Sequence, residues 1–374
     1  MAQFYATTAL GLVDALENEL ITLGFKIERK ISSGVFFETN WEGCYRANLQ
    51  SRIASRILKP LIDFPAYNGE DLYHNVKKHD FTKYITPDQT LKIEASVADS
   101  AMNDQRFIAM KIKDAIVDQF SDKYGRRPDV EKGMPHLRVV VKGIKNRFHV
   151  MLDTSGDSLF IRGYRTETGP APLKENLAAG LLLLSGWDQK SPLVDPMCGS
   201  GTILIEAAMM ALNMAPGIHR KHFGFMDLQN FDEAVWEKVL DEVISLEKET
   251  LDFEIFGSDI DRRVMQMAKT NARNAGVDHV INFKSESITT FKKPVESGLI
   301  VTNPPYGARI GDEDNLRDVY RDFSHTLKNE FKGWDSWVLS GNKDLIKDLH
   351  LKSTRKHFVY NGPLECRFLK YSMR

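Results

Sequence analysis

Asn303-Pro304-Pro305-Tyr306 has the residue types and spacing to hold an amino group. It follows an apolar run, Gly298-Leu299-Ile300-Val301, that predicts a buried strand ending at Thr302. Neither proline has an N–H to give a ladder, and each confines the residue before it to extended geometry. The loop is therefore stiff, and its carbonyl oxygens have no helix or sheet partner. The Asn303 carboxamide oxygen and the Pro304 carbonyl can accept the two N–H bonds of an exocyclic amine. Such an amine is a poor nucleophile while its lone pair is delocalised into a ring, and two acceptors favour a lone pair aimed at an electrophile. Tyr306 can stack on a planar base, a contact worth about 1–3 kcal/mol by substitution. The loop alone does not distinguish guanine N2, adenine N6 or a glutamine side-chain amide.

A second constellation precedes it. Asp195-Pro196-Met197-Cys198-Gly199-Ser200-Gly201-Thr202 joins a short strand, Leu193 to Asp195, to a helix from Gly201 to Asn213. Gly199 and Gly201 permit a tight turn and close approach of a ligand, and the helix start offers unpaired N–H groups. No Gly-Lys-Ser/Thr follows, and two glycines do not make the dinucleotide fingerprint. Cys198 reads as a small residue in a cramped loop, with no neighbouring His to activate it. The next strand ends at Ser258-Asp259-Ile260-Asp261. Asp259 is placed to accept from both hydroxyls of a ribose, and Asp261 to cap the helix from Arg262. The third strand leads to Ser287, a candidate contact to an adenine edge. In this order the motifs imply a nucleoside cofactor across the strand ends, with an amine acceptor beside it. The electrophile such a set would serve is the methyl of S-adenosylmethionine, with positioning and fixed dipoles carrying the rate and no metal required.

Strand–helix alternation must hold these motifs in place. From Leu173 onward the pattern predicts helices over 173–185, 201–213, 231–248, 262–275 and 316–331. Strands are expected over 193–195, 253–257, 280–283, 298–302 and 336–340, then a short helix over 345–350 and a closing pair, 356–360 and 366–371. This predicts a mostly parallel sheet with helices on both faces. The first part differs. Residues 1–64 read as a small α+β unit, with strands over 3–8, 26–30 and 34–38 and helices over 11–23, 41–51 and 52–59. Residues 65–165 read as a second α+β unit, with helices over 72–78 and 106–124 and strands over 90–97, 137–142, 147–152 and 159–161. Gly163 to Pro172 looks like a linker, and 166–374 is the third unit.

With 374 residues, 42% hydrophobic and 27% charged, the chain has the composition of a globular protein of two or three domains. The run from Leu177 to Leu184 is too short to span a bilayer, and the N-terminus has no secretory pattern, so no membrane role is expected. Three scattered cysteines show no metal spacing and fit a reducing cytoplasm. Up to Arg165 there are 24 basic against 21 acidic residues, and after it 26 against 30. Arg126, Arg127, Arg138, Lys142, Lys145, Arg147, Arg162 and Arg165 fall at or near strand ends. Composition alone reads them as a solvated surface. The sharper reading is a surface that tracks RNA phosphates, carried by Lys142, Lys145, Arg147, Arg162 and Arg165.

The stretch from Asp195 to Thr202, together with Ile205-Glu206-Ala207-Ala208 and Ala215-Pro216-Gly217, closely resembles the methyltransferase family that carries an N-terminal THUMP domain. So do Arg162-Gly163-Tyr164-Arg165 and Ala171-Pro172-Leu173-Lys174-Glu175-Asn176-Leu177-Ala178-Ala179. The resemblance covers nearly the whole chain, strongly over 162–310 and more loosely over 1–160. It implies a ferredoxin-like domain over 1–64, an RNA-binding THUMP domain over 65–165, and a Rossmann-like methyltransferase domain with a mostly parallel seven-stranded sheet over 166–374. Relatives of this kind methylate guanine N2 of 23S ribosomal RNA, with tRNA as the nearby alternative, and older descriptions call them N6-adenine-specific DNA methylases. Many relatives have Asp where Ser287 stands.

Overall fold

The computed structural model describes residues 1–166, 173–306 and 313–374. Gly307, and most of the expected linker up to Pro172, lie outside the described residues. The first part of the chain runs β1 (Ala2–Thr7), α1 (Val13–Thr22), β2 (Lys26–Ile31), β3 (Gly34–Thr39), α2 (Trp41–Gln50), β4 (Arg56–Pro65), α3 (Gly69–Lys77), β5 (Thr90–Ala98), α4 (Gln105–Tyr124), β6 (Asp129–Val130), β7 (Leu137–Ile144) and β8 (Arg147–Asp153). Both α+β units share one eight-stranded sheet, ordered β2-β3-β1-β4-β8-β7-β5-β6. Side-chain alternation sorts its faces. Phe4, Val35, Phe37, Val139 and Val150 face the main core, where α1 to α4 pack, while Tyr5, Phe36, Leu58 and Met151 form a separate cluster on the opposite face.

Two expectations fail here. Of the helix expected over 52–59, residues 52–55 form an irregular bend and 56–59 begin β4, which pairs with β1 on one side and β8 on the other. Pro60 bars the α region to Lys59 and has no N–H for a helix, and the strand takes it up at a bulge between Pro60 and Ile62. Ile57 and Leu58 then face opposite cores. The strand expected over 159–161 is a turn, with the Leu159 N–H donating to Ser55 O at 2.8 Å and the Ile161 N–H to Ser158 O at 3.0 Å.

The second part runs α5 (Glu175–Ser185), β9 (Leu193–Asp195), α6 (Thr202–Ala211), α7 (Glu233–Ile244), β10 (Ile255–Asp259), α8 (Arg262–Asn274), β11 (Ile281–Ser285), β12 (Leu299–Thr302), α9 (Glu313–Glu330), β13 (Asp335–Ser340), β14 (Arg355–Asn361) and β15 (Leu364–Ser372). Its seven-stranded sheet is ordered β11-β10-β9-β12-β13-β15-β14. The strands from β9 to β13 are parallel, and β15 is antiparallel to both its neighbours. Both faces are buried. Leu193 and Val301 face the core that holds α5 and α6, whereas Val194 and Ile300 face Tyr320, Phe323 and Leu327 of α9. The chain steps outward from β9 through β10 and β11, then returns to the other side of β9 for β12. Between β9 and β12 the order therefore reverses, and a crevice opens outside the strand ends there.

The main core continues unbroken from one sheet to the other. Tyr45 of α2 meets the rings of Phe225 and Trp236 at 4.5 and 6.3 Å. Arg162 pairs with Glu206 of α6 at 3.3 Å, and the Tyr164 hydroxyl donates to the same carboxylate at 3.1 Å. An apolar junction with a buried ion pair holds the two parts in a fixed relation. Among the described residues, no helix is long and apolar enough to cross a membrane.

Candidate active site

Each motif sits where a parallel strand ends. Asp195 closes β9, and the turn behind it needs a left-handed backbone at Gly199 (φ +55°) and Gly201 (φ +81°). The two glycines serve different ends. A Cβ on Gly201 would lie 3.2 Å from the Ala268 Cβ, so this glycine lets α6 start close against α8. A Cβ on Gly199 would meet nothing within 4 Å and would project into open space, the room a ligand needs beside the backbone.

Asp259 at the end of β10 braces that turn. Its Oδ2 accepts the Gly199 N–H at 3.1 Å and its Oδ1 the Asp261 N–H at 3.0 Å. Each oxygen keeps a second lone pair for a hydroxyl. Burial is the main influence on this carboxyl and raises its pKa. Asp261 caps α8 by accepting the Arg263 N–H at 2.8 Å. Ile260, between them, is 73% exposed, an apolar plate at the cavity edge. The Cys198 thiol is pushed well above its ordinary range by burial and then by the carboxylates of Asp195 and Asp259, so it stays protonated.

The strand order brings β12 beside β9, and a short bond ties their ends. The Thr302 hydroxyl donates to Asp195 Oδ1 at 2.6 Å, and the same oxygen accepts the Met197 N–H at 3.2 Å. Burial pushes the Asp195 carboxyl up to about 7. The next residue carries the most telling atom of the site. Asn303 Oδ1 is buried and has no hydrogen-bond partner among the described residues. Tyr306 is half-buried and lies against Gly341, where a Cβ would come within 3.0 Å of its ring. Burial is also the main cause that raises the Tyr306 hydroxyl.

These residues line one cavity of about 1220 Å³. It takes in Asp195, Pro196, Cys198, Gly199, Thr202, Asp259, Ile260 and Ser287 on one side, and Asn303, Pro304, Pro305 and Tyr306 on the other. Gly201 lies behind the lining. Ser287 reaches it with its hydroxyl already bonded to Thr289 Oγ1 at 2.9 Å. A volume above the usual range of about 300–1,000 Å³ for small-molecule sites gives room for two ligands side by side. Reading the motifs missed the wall beyond β13, where Gly341, Asn342 and Lys343 follow the strand and Asn361 and Leu364 flank the terminal turn. The signal was their place at the end of the strand next to β12.

The basic residues do not come together. Arg162 is 1% exposed, spent on Glu206, Arg52 O and Leu159 O. Arg165 donates to Thr202 Oγ1 at 2.8 Å and Leu173 O at 2.7 Å, and pairs with Glu175 at 3.2 Å. Neither can meet a polyanion from there, which corrects the expectation for both. Each lies at the junction of the two parts, where its charge answers a buried carboxylate. Lys142, Lys145 and Arg147 lie on the β7–β8 hairpin, Arg147 paired with Asp63 at 2.8 Å.

Comparison with known proteins places this geometry. A family model described as an RMKL-like methyltransferase domain matches residues 162–370, a THUMP-domain model matches 66–153, and an RlmL ferredoxin-like domain model matches 3–58. The chain is 39% identical over 370 residues to a Synechocystis protein described as "putative RNA methyltransferase slr0064", covering 99% of this chain and 96% of the relative. The solved structure of SMU.472, "a putative methyltransferase complexed with SAH", superposes with a TM-score of 0.91 at 32% identity, covering 100% of this chain and 98% of the other. A Listeria monocytogenes structure, described as a "predicted N6-adenine-specific DNA methylase", gives 0.90 at 32% identity, covering 100% and 96%.

Proposed function

This chain belongs to the RMKL-like methyltransferase family, and from that premise we propose that it methylates an exocyclic amine of an RNA base with S-adenosylmethionine as donor. The base is guanine, modified at N2, in 23S ribosomal RNA. The fold joins ferredoxin-like and THUMP units to a Rossmann-like methyltransferase sheet. One observation carries the reading, the buried Asn303 Oδ1 beside the glycine turn, which has no hydrogen-bond partner among the described residues. Leaving a buried acceptor without a donor costs about 1–3 kcal/mol, and a substrate N–H removes that cost.

The residues present fit the donor. Gly199 leaves its approach open, Asp259 keeps lone pairs for a ribose, and Ile260 and Ser287 flank the base position. When bound, S-adenosylmethionine supplies an electrophilic methyl group. Asn303 Oδ1 and the Pro304 carbonyl accept the amine's N–H bonds and orient its lone pair. The Tyr306 ring stacks on the base, and the prolines hold the loop in that shape. A base within a duplex must first be extruded. The proton leaves after transfer, so no strong base is needed. The THUMP unit and the relative described as an RNA methyltransferase support RNA as substrate.

Mass spectrometry of nucleosides from a strain lacking the gene tests the reading. Loss of N2-methylguanosine from 23S rRNA is the expected result. Its loss from tRNA alone would move the substrate, and loss of N6-methyladenosine would move the base. No loss from either pool would refute the reading.

A further inference from the structure

The cavity wall beyond β13 carries a polar group that the methyl transfer itself does not use. β13 ends at Ser340, and the chain turns through Gly341 and Asn342 toward a short helical turn, Leu345–Leu349. Every other polar atom of Asn342 is engaged. Its N–H donates to Ser340 Oγ at 3.2 Å, and its carbonyl accepts from that hydroxyl at 3.3 Å. Its Oδ1 accepts the Asp344 N–H at 2.9 Å and the Leu345 N–H at 3.2 Å. Ser340 Oγ also lies 3.1 Å from the Tyr320 hydroxyl, and both of those residues are buried. With its oxygen held by two backbone amides, the carboxamide cannot flip, and Nδ2 faces away from the turn that Oδ1 caps. Asn342 lines the cavity, and its Nδ2 has no hydrogen-bond partner among the described residues.

The same turn is packed against the ring assigned to stack on the base. A Cβ on Gly341 would come within 3.0 Å of Tyr306. A base lying on Tyr306 therefore meets acceptors from the Asn303 loop and donors from Asn342. Guanine held by its 2-amine carries the O6 carbonyl two ring atoms away, an acceptor for such a donor. Adenine held by its 6-amine has only a C–H at the equivalent ring position. Cytosine repeats the guanine pattern on a smaller ring. Lys343 also lines the cavity, but it is exposed and no bond holds its ammonium among the described residues. A mobile charge suits a phosphate better than one atom of a base edge.

We propose that Asn342 is a specificity-determining residue: its Nδ2 donates to the carbonyl oxygen of the target base, O6 of guanine, and finds no matching acceptor on adenine. The inference rests on the amine-methylation reading above and deepens it, because the Asn303 loop alone does not separate the two purines.

The test uses the RNA that loses N2-methylguanosine in the strain lacking the gene. Splinted ligation supplies that RNA with guanine or 2,6-diaminopurine at the target position. Diaminopurine keeps the 2-amine but replaces O6 with an amine, which sets N–H against N–H at Asn342. Wild type should prefer guanine by about 10–100-fold in kcat/KM, the range expected when a donor is closed off without a partner. Asn342→Asp is nearly isosteric, keeps the cap on Asp344 and Leu345, and puts an acceptor where the donors were. It should lose guanine activity and shift the preference toward diaminopurine by about ten-fold or more. A purely structural or long-range charge effect moves both substrates together, so an unchanged ratio overturns the proposal. So does a ratio that collapses in Lys343→Met but holds in Asn342→Asp. Calorimetric titration should give equal S-adenosylmethionine affinities for wild type and variant. Should Asn342→Asp fail to bind the donor, Asn342→Ser keeps a capping oxygen and should bring the ratio toward one; a ratio still at the wild-type value overturns the proposal. Guanine methylation with an unchanged ratio sinks this inference alone, whereas loss of N6-methyladenosine, or of neither mark, in the deletion strain sinks the guanine reading itself.

Discussion

In the seven-stranded sheet helices cover both faces, so a ligand can meet only the strand ends and the loops that leave them. In the eight-stranded sheet helices cover one face, and side chains from six of its strands are open to a ligand on the other. At the strand ends the groups are backbone amides, a carboxamide and carboxylates, locked by bonds such as Thr302 to Asp195 at 2.6 Å. On the open face they are long cations resting on rings. Chemistry that depends on fixed dipoles is placed where the backbone is held on every side. Long charged side chains stand on the face that helices leave open.

The largest expected effect tests the junction between the two. Arg162→Ala leaves Glu206 buried without its partner and should lower unfolding free energy by about 3–5 kcal/mol in urea titration. Unchanged stability with weakened RNA binding would return Arg162 to the recognition surface and break the division. At the strand ends, Asn303→Ala should reduce kcat about 10²–10³-fold in a methyl-transfer assay, by loss of one preorganised acceptor. Full turnover would remove Asn303 from its role.

A subtler effect concerns the tie beneath it. The Asp195 carboxyl is raised by burial from 3.8 to about 7, so the protonated form is the one that folding favours. Its stabilising contribution is complete below 3.8 and is lost as the pH rises to about 7. Asp195→Asn keeps an acceptor for Thr302 and should be insensitive across that window. Calorimetric midpoints should show wild type losing ground to the variant as pH rises; parallel curves would contradict it. The smallest effect is expected on the open sheet, where Lys145→Ala should lower the salt slope of RNA binding by about one and leave cofactor affinity unchanged. Titrations at several salt concentrations measure it.

Much of the site was legible because its signals are local. Glycines that need positive φ, a carboxylate at a strand end and paired prolines announce themselves without knowledge of any partner. The basic residues carry no such local sign. Arg162 and Lys142 look alike in the chain, yet one is buried on Glu206 and the other lies over Tyr5. The helix misread over 52–59 has a related cause. Its residues suit a helix until Pro60 and two flanking strands are counted, and the flanking strands come from positions 2–7 and 147–153.

The sequence by itself therefore determined the motifs, their order and the turn each one makes, since these follow from backbone sterics within a few residues. The tertiary structure alone decided that β12 returns beside β9, that Thr302 reaches Asp195, and that Asn303 Oδ1 is left buried with no hydrogen-bond partner among the described residues. Strand order is a non-local choice, made by how helices cover both faces of the sheet, and no short stretch of residues contains it.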